Sequence, residues 1–119
     1  MSAGGPEAAY LPARLRQSMP VFAALGDEVR LRLVDRLSSE GPASIVRLSR
    51  GSGLTRQAIT KHLHVLGTVG LVHSTRRGRE SVWTLDPEPL HSARTSLEDI
   101  AQQWDAALSR LKTFVERSN

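Results

Sequence analysis

The 119-residue sequence contains no cysteine and no long apolar run. Without cysteine the chain cannot form a disulfide, a thiolate metal site or a cysteine nucleophile, and the cytosol is the default compartment. No segment approaches the roughly 20 continuous apolar residues that span a bilayer, and no basic region followed by an apolar run opens the chain. A chain of this length has room for one domain. We therefore expect a single-domain, cytoplasmic, nucleoid-associated and unexported protein.

Acidic residues are absent from a long central stretch. No Asp or Glu lies between Glu40 and Glu80, whereas both flanks are mixed or acidic. The basic residues of this stretch are Arg47, Arg50, Arg56, Lys61, Arg76, Arg77 and Arg79, and its histidines are His62, His64 and His73. Each Lys or Arg that meets a phosphate releases condensed counterions. An ordinary solvated face usually carries both signs of charge, so this pattern favours a nucleic-acid partner.

The first third of the chain has helical periodicity. Residues 1–9 have nothing to bury and are predicted to be a disordered tail, followed by one domain over residues 10–119. Apolar spacing predicts a first helix from Tyr10 that is bent or divided at Pro20. Asp27 is expected to cap a second helix, which Gly41 and Pro42 end.

The sequence of the remaining two thirds of the chain predicts two helices joined by a short turn, then a hairpin and a long helix. Ser44 and Thr55 are the expected caps of a helix-turn-helix over residues 44–69. Residues 71–85 are predicted to form a hairpin with an arginine-rich tip, and residues 88–116 a C-terminal helix. This order is typical of a winged helix-turn-helix, in which the second motif helix enters the major groove of DNA. The predicted fold class is mainly α with a small β-hairpin wing, about five helices and a dimeric assembly.

One face of the second motif helix is polar and cationic. The candidate base-reading residues on this face are Arg56, Gln57, Thr60 and Lys61. Arginine has donors that suit guanine, and glutamine suits adenine. The candidate contacts to phosphate or the minor groove are Arg50, Thr55, His64, Arg76, Arg77 and Arg79. They are expected to supply affinity rather than sequence choice.

Simpler interpretations exist for three of these positions. Thr60 could be an ordinary surface residue, and Arg56 could pair with Glu40 instead of with a base. His62 falls within the apolar arc of the helix, so we expect it to be packed and hydrogen-bonded to backbone rather than in contact with a base.

The C-terminal helix carries apolar residues at alternating steps of three and four, which is a heptad seam. Such a seam could cover an intramolecular core or bind a partner helix, and both uses are expected in so small a protein. The predicted dimer interface consists of Leu15, Phe22, Leu97, Ile100, Trp104, Leu108 and Leu111.

Three segments resemble a known family. They are FAALGDEVRLRLVDRL, GLTRQAITKHLHVLGTVGLV and STRRGRESVWTLDPEPL, and together they are similar to ArsR/SmtB-type bacterial transcriptional regulators. The resemblance covers about residue 19 to the C-terminus. It implies a homodimer joined through its first and last helices, which binds double-stranded DNA at an operator of matching two-fold symmetry. It also implies a recognition face at Arg56, Gln57, Thr60 and Lys61.

The metal sites of the best-known relatives have no counterpart here. The short helix that begins after Ser44 has no soft ligand, and His91 is accompanied only by Glu98 and Asp99. A transition-metal site prefers at least two nitrogen or sulfur donors. The chain therefore resembles a member that does not sense metal; no cofactor is expected, and any effector would be a small molecule of unidentified class.

Two other functions compete with that of a regulator. A winged-helix interaction module without sequence-specific DNA binding is the alternative, although its groove-facing helix need not be basic. An enzyme is not expected, because no nucleophile elbow, phosphate loop, metal-ligand pair or carboxylate pair has supporting context. The sequence thus predicts a DNA-binding regulator, acting as an autoregulating repressor on an imperfect palindrome.

Overall fold

The computed structural model of the protein describes residues 12–118, which form five helices and a three-stranded antiparallel sheet. The helices are α1 (Ala13–Leu25), α2 (Glu28–Glu40), α3 (Ile45–Ser49), α4 (Arg56–Thr68) and α5 (Glu88–Ser118). The strands are β1 (Ala43–Ser44), β2 (Val72–Arg77) and β3 (Glu80–Leu85). The fold is a winged helix-turn-helix, as the periodicity predicted. The predicted tail and the expected helix start at Tyr10 lie outside the described residues.

Helix α1 is not divided at Pro20, so this part of the sequence prediction is wrong. The proline lies inside a continuous helix of 13 residues. Proline removes one hydrogen bond and crowds the preceding turn, but Ser18, Val21 and Ala24 bury the face that packs on the rest of the protein. The packing of this face keeps the helix continuous through the proline, and a bend at Pro20 stays a prediction.

The predicted helix caps are confirmed. The side chain of Asp27 accepts a hydrogen bond from the Arg30 amide at 3.0 Å, and that of Ser44 accepts one from the Arg47 amide at 3.2 Å. Each bond satisfies an amide that the first turn of a helix leaves without a partner. These caps set where α2 and α3 begin.

The wing is a hairpin of β2 and β3, and β1 extends it to a three-stranded sheet. Arg77 is opposite Glu80 at the tip, where Gly78 adopts a φ of 62° that a side chain would disfavour. The sequence did not predict β1, which is only two residues long and pairs Ala43 with Trp83. It ties the start of the helix-turn-helix motif to the wing.

The core lies between α2, the helix-turn-helix and the base of the wing. Its most deeply buried side chains are Leu48, Ile59, Leu63, Leu66, Leu71 and Val72. Helix α5 contributes only Ala93 and Ser96 as buried residues, both near its start. Over residues 12–118, no helix combines the length and hydropathy needed to cross a membrane.

Candidate nucleic-acid interface

Helix α4 has one buried face and one exposed polar face. Its fully buried side chains are Ile59, Leu63 and Leu66. Its exposed polar side chains are Arg56, Gln57, Lys61, His64 and Thr68. Val65 is 41% exposed, so not every apolar residue of α4 packs on the core. The polar face is free to meet a ligand along the whole helix.

Two threonines at the start of α4 are bonded to its backbone. The hydroxyl oxygen of Thr55 accepts from the Ala58 amide at 3.1 Å, which leaves the hydroxyl hydrogen available to a phosphate. The half-buried hydroxyl of Thr60 donates to the Arg56 carbonyl at 2.7 Å. Its remaining capacity is that of an acceptor and a methyl group, which restricts how it could contact a base.

Arg56 does not pair with Glu40, so that alternative is wrong. Glu40 instead accepts from Nε of Arg36 at 3.2 Å and lies 3.8 Å from Arg47. Within residues 12–118, none of the ion pairs includes Arg56 or Lys61. The charges on the exposed face of α4 are thus not neutralised by the described part of the protein.

The wing continues this cationic surface. Arg76, Arg77 and Arg79 are exposed, and none of them enters an ion pair among the described residues. One groove of about 320 Å³ between α4 and the wing is lined by Arg56, Arg79 and Glu80. Because the groove joins both elements, the recognition helix and the wing tip form one surface.

His64 connects the recognition helix to the base of the wing. Its ring centroid lies 5.9 Å from that of Trp83, with the planes inclined by 47°. Trp83 is a core residue whose Nε1 is buried without a hydrogen-bond partner in the described residues. His64 therefore packs beside a buried indole, and its side chain is still exposed to solvent, where a phosphate could reach it.

His62 is packed, as predicted, but its partners are side chains and not backbone. Its Nδ1 lies 3.5 Å from NH1 of Arg30 and 3.8 Å from a carboxylate oxygen of Asp27. The hydrogen bond from the Arg30 amide has the largest effect on the pKa of Asp27 and lowers it. Desolvation comes next and raises the pKa, and the Arg30 and His62 side chains then lower it, so that the pKa lies below its ordinary value. The difference arises because α2 presents a charged first turn to this side of α4.

Not every cation of the acid-free stretch is directed to this surface. His73 lies 3.2 Å from Asp86, whose pKa is lowered by the Glu88 amide and then by His73 itself. Arg50 is exposed and lines a separate cavity between α2 and the turn that precedes α4, and its contact with a phosphate stays a prediction. These positions could not be assigned from the sequence because their partners come from distant parts of the chain.

Comparison with known proteins places this geometry in a family. A model of a helix-turn-helix domain matches residues 25–75. The chain is 37% identical over 95 residues to the HTH-type transcriptional regulator Rv2034 of Mycobacterium tuberculosis, covering 80% of this chain and 85% of the relative. It is 40% identical over 76 residues to the uncharacterized HTH-type transcriptional regulator YuzN of Bacillus subtilis, covering 59% of this chain and 83% of the relative.

Solved structures agree with the sequence relatives. An ArsR-like transcriptional regulator from Rhodococcus sp. RHA1 superposes with a TM-score of 0.72 at 34% identity, covering 83% of this chain and 92% of the other. The chain belongs to the ArsR family of transcriptional regulators. A winged helix-turn-helix domain from Mycobacterium bovis, described as homodimeric, shares the fold with a TM-score of 0.60 at 24% identity, covering 92% of this chain and 95% of the other.

Membership in the ArsR family makes this chain a DNA-binding transcriptional regulator and not an enzyme. Among residues 12–118, no group of three or more His, Asp or Glu side chains could hold a metal ion. His91 is exposed on α5, where its carbonyl accepts from the Thr95 hydroxyl. That this ArsR protein does not sense a metal stays a prediction from its sequence.

The last helix of this ArsR protein projects beyond the core. Helix α5 is 31 residues long, and its contact with α1 includes a 3.3 Å ion pair between Arg14 and Asp99 and a 3.4 Å contact between the hydroxyls of Ser18 and Ser96. Beyond these contacts the apolar seam is uncovered. Its exposed side chains are Leu97 (53%), Ile100 (45%), Trp104 (64%), Leu108 (46%), Leu111 (57%), Phe114 (70%) and Val115 (50%). Leu15 and Phe22, the predicted contribution of α1 to a dimer, are half-buried.

Proposed function

We propose that this protein is a homodimeric repressor that binds an imperfect palindrome in double-stranded DNA, including its own operator. The observation that carries the proposal is the exposed face of α4, where cationic and amide side chains that form no ion pair within residues 12–118 continue onto the wing. Phosphates would hold this surface on the duplex, and base edges would be reached only by side chains at the start of α4.

Arg56, Gln57 and Lys61 are the residues we assign to base edges. All three are exposed on one side of α4, and the N-terminal part of a recognition helix is the part that contacts bases. Thr60 would assist by its methyl group or as an acceptor, because its hydrogen is bonded to the Arg56 carbonyl. We assign Arg76, Arg77 and Arg79 to the neighbouring backbone or minor groove, together with Thr55 and His64.

We propose that a second copy of the chain binds to the apolar seam on α5. Contiguous apolar surface of this extent is rare on monomeric proteins and marks an interaction site. The steps of three and four that run from Leu97 to Phe114 are those with which two helices pack side by side. Two recognition helices in such a dimer would lie about 34 Å apart, one turn of DNA.

Repression is proposed because a domain of this size leaves little surface for recruiting polymerase, and a dimer bound at a promoter excludes it. A repressor of its own gene would act on the chromosome, in the cytoplasm.

The experiment is a fluorescence anisotropy titration of the protein against the DNA upstream of its own gene and against a shuffled duplex. Sequence-selective binding that weakens linearly with the logarithm of salt concentration is expected. Binding that is equal for both duplexes, or absent at low ionic strength, would instead support a winged-helix interaction module.

A further inference from the structure

A cavity of about 190 Å³ lies where α2 meets the helix-turn-helix. Its apolar wall is formed by Val29, Leu33, Leu48, Leu54 and Ile59. Leu48 and Ile59 on this wall are 1% and 0% exposed, so the cavity reaches the core of the motif. An apolar cavity of about 150 Å³ is known to hold a benzene molecule, so this one is of a size for a single aromatic ring.

The polar lining of the cavity is cationic. Arg32, Arg36 and Arg50 contribute to it, and no Asp or Glu does. Arg32 is paired with Glu28 at 2.6 Å. Arg36 is bonded to Glu40 and also donates to the Leu48 carbonyl at 3.0 Å. Two of the three arginines are therefore held by groups of the protein.

Arg50 differs from these two arginines. Among residues 12–118, its side chain has neither an ion pair nor a hydrogen bond. A guanidinium offers paired donors that match a carboxylate with two parallel hydrogen bonds. A ligand with an apolar body and one carboxylate would pack on the apolar wall and accept hydrogen bonds from the Arg50 guanidinium.

We infer that this cavity is a binding site for a small aromatic monocarboxylate. Two contacts would give specificity: the apolar wall would pack on the ring, and Arg50 would bind the carboxylate. A neutral ring of the same size would lose the bidentate contact with Arg50.

The position of the cavity gives the ligand a regulatory effect. Gly51 and Ser52, in the turn between the two motif helices, also line it. The Ser52 hydroxyl donates to the Ser49 carbonyl at 2.8 Å and accepts from the Leu54 amide at 3.1 Å, so this turn sets the angle at which α4 leaves α3. A ligand that moves the turn would change the direction of α4 and lower the affinity for DNA, and this second step rests on the proposed function. Coupling of this kind requires that the ligand prefer one of two states of the turn.

The test is a titration of isotope-labelled protein with sodium benzoate, followed by the amide signals of Gly51, Ser52 and Leu54. Saturable shifts are expected for the native chain, with binding at least tenfold weaker for benzamide, which lacks the charge. Arg50→Gln should weaken benzoate binding at least tenfold. Arg47→Gln is the matched control, since Arg47 is an exposed arginine three residues before Arg50 that does not line the cavity.

The second arm measures DNA affinity with benzoate or with an equal concentration of acetate. Benzoate is expected to weaken DNA binding severalfold for the native chain and for Arg47→Gln, and to have no such effect on Arg50→Gln. Absence of benzoate shifts in the native protein, or equal binding by Arg50→Gln, overturns the site. Benzoate binding with unchanged DNA affinity overturns the regulatory step alone. If the protein binds no DNA even without benzoate, the proposed function is overturned. The amide shifts on benzoate titration still test the binding site in that case.

Discussion

Nδ1 of His62, on the recognition helix, lies 3.5 Å from NH1 of Arg30, on helix α2. Arg30 also donates from Nε to the carbonyl of Ala24 at 2.6 Å, near the end of α1. One guanidinium thereby joins three helices. Asp27 completes the cluster, because it caps α2 and lies 3.9 Å from the same guanidinium. The orientation of α4 on the core depends on charged groups as well as on its apolar face.

The cluster predicts an acid-dependent loss of stability that Asp27→Asn would remove. Asparagine keeps the oxygen that caps α2 but has no charge to lose. Since the pKa of Asp27 is lowered in the folded protein, its charge contributes stability above the ordinary pKa of about 3.9. That contribution is lost as the pH falls through the lowered folded value.

Urea unfolding of the native chain and of the variant, from pH 6 down to pH 3, measures this effect. The native chain is expected to be the more stable at pH 6, and the two free energies of unfolding should converge as the pH falls. A difference that stays constant over the whole range would show that the Asp27 charge is not coupled to folding.

Local patterns allowed most of the fold to be predicted. The caps at Asp27 and Ser44 are confirmed because a capping bond spans only three residues. Strand β1 was missed because its two residues have no periodicity, and only the pairing with Trp83 makes them a strand. Pro20 was misjudged because propensity acts against packing there, and packing decides the outcome.

The candidate site could be predicted only in part, for a similar reason. The polar face of α4 follows from helical spacing alone, so the exposure of Gln57 and Lys61 could be read from the sequence. The partners of His62 and the cavity beside Arg50 depend on where α2 lies relative to the motif. No spacing along the chain determines that arrangement.

Gln57→Ala tests the role of the recognition helix in base selection. Removal of the amide is expected to relax the base preference at one position of each half-site, at a cost of about 1–3 kcal/mol for the preferred base. Binding to a panel of operators that differ at single positions measures this. Gln102→Ala, which removes an exposed glutamine on α5, is the control. A uniform loss over all operators would contradict a base-reading role for Gln57.

Arg77→Ala tests the wing. Arg77 is exposed at the hairpin tip and has no ion pair among the described residues. We expect the affinity to fall about equally for all sequences, and the slope of log affinity against log salt to decrease by about 1. Arg32→Ala, at an exposed arginine paired with Glu28, should leave the slope unchanged. An altered base preference at constant slope would assign Arg77 to bases instead of phosphates.

Trp104→Glu tests the seam on α5. Trp104 is 64% exposed and lies between Ile100 and Leu108, which are also exposed. A charge at the centre of an apolar helix interface must be desolvated without a partner, a cost of several kcal/mol. We therefore expect monomers in sedimentation velocity at concentrations where the native chain is dimeric. The helical content should be unchanged, because Trp104 contributes nothing to the buried core of a single chain.

Loss of the dimer should in turn affect DNA binding in a characteristic way. A monomer still presents α4, so its affinity for an isolated half-site should stay within a fewfold of that of the native chain. Its affinity for the full palindrome should fall by about 10²–10⁴, since the second contact is no longer intramolecular. Gln102→Glu adds the same charge about 160° away around α5 and should preserve both the dimer and the palindrome affinity. If Trp104→Glu remained dimeric, the partner helices would have to meet on another face of the protein, and the operator spacing proposed from the seam would be withdrawn with it.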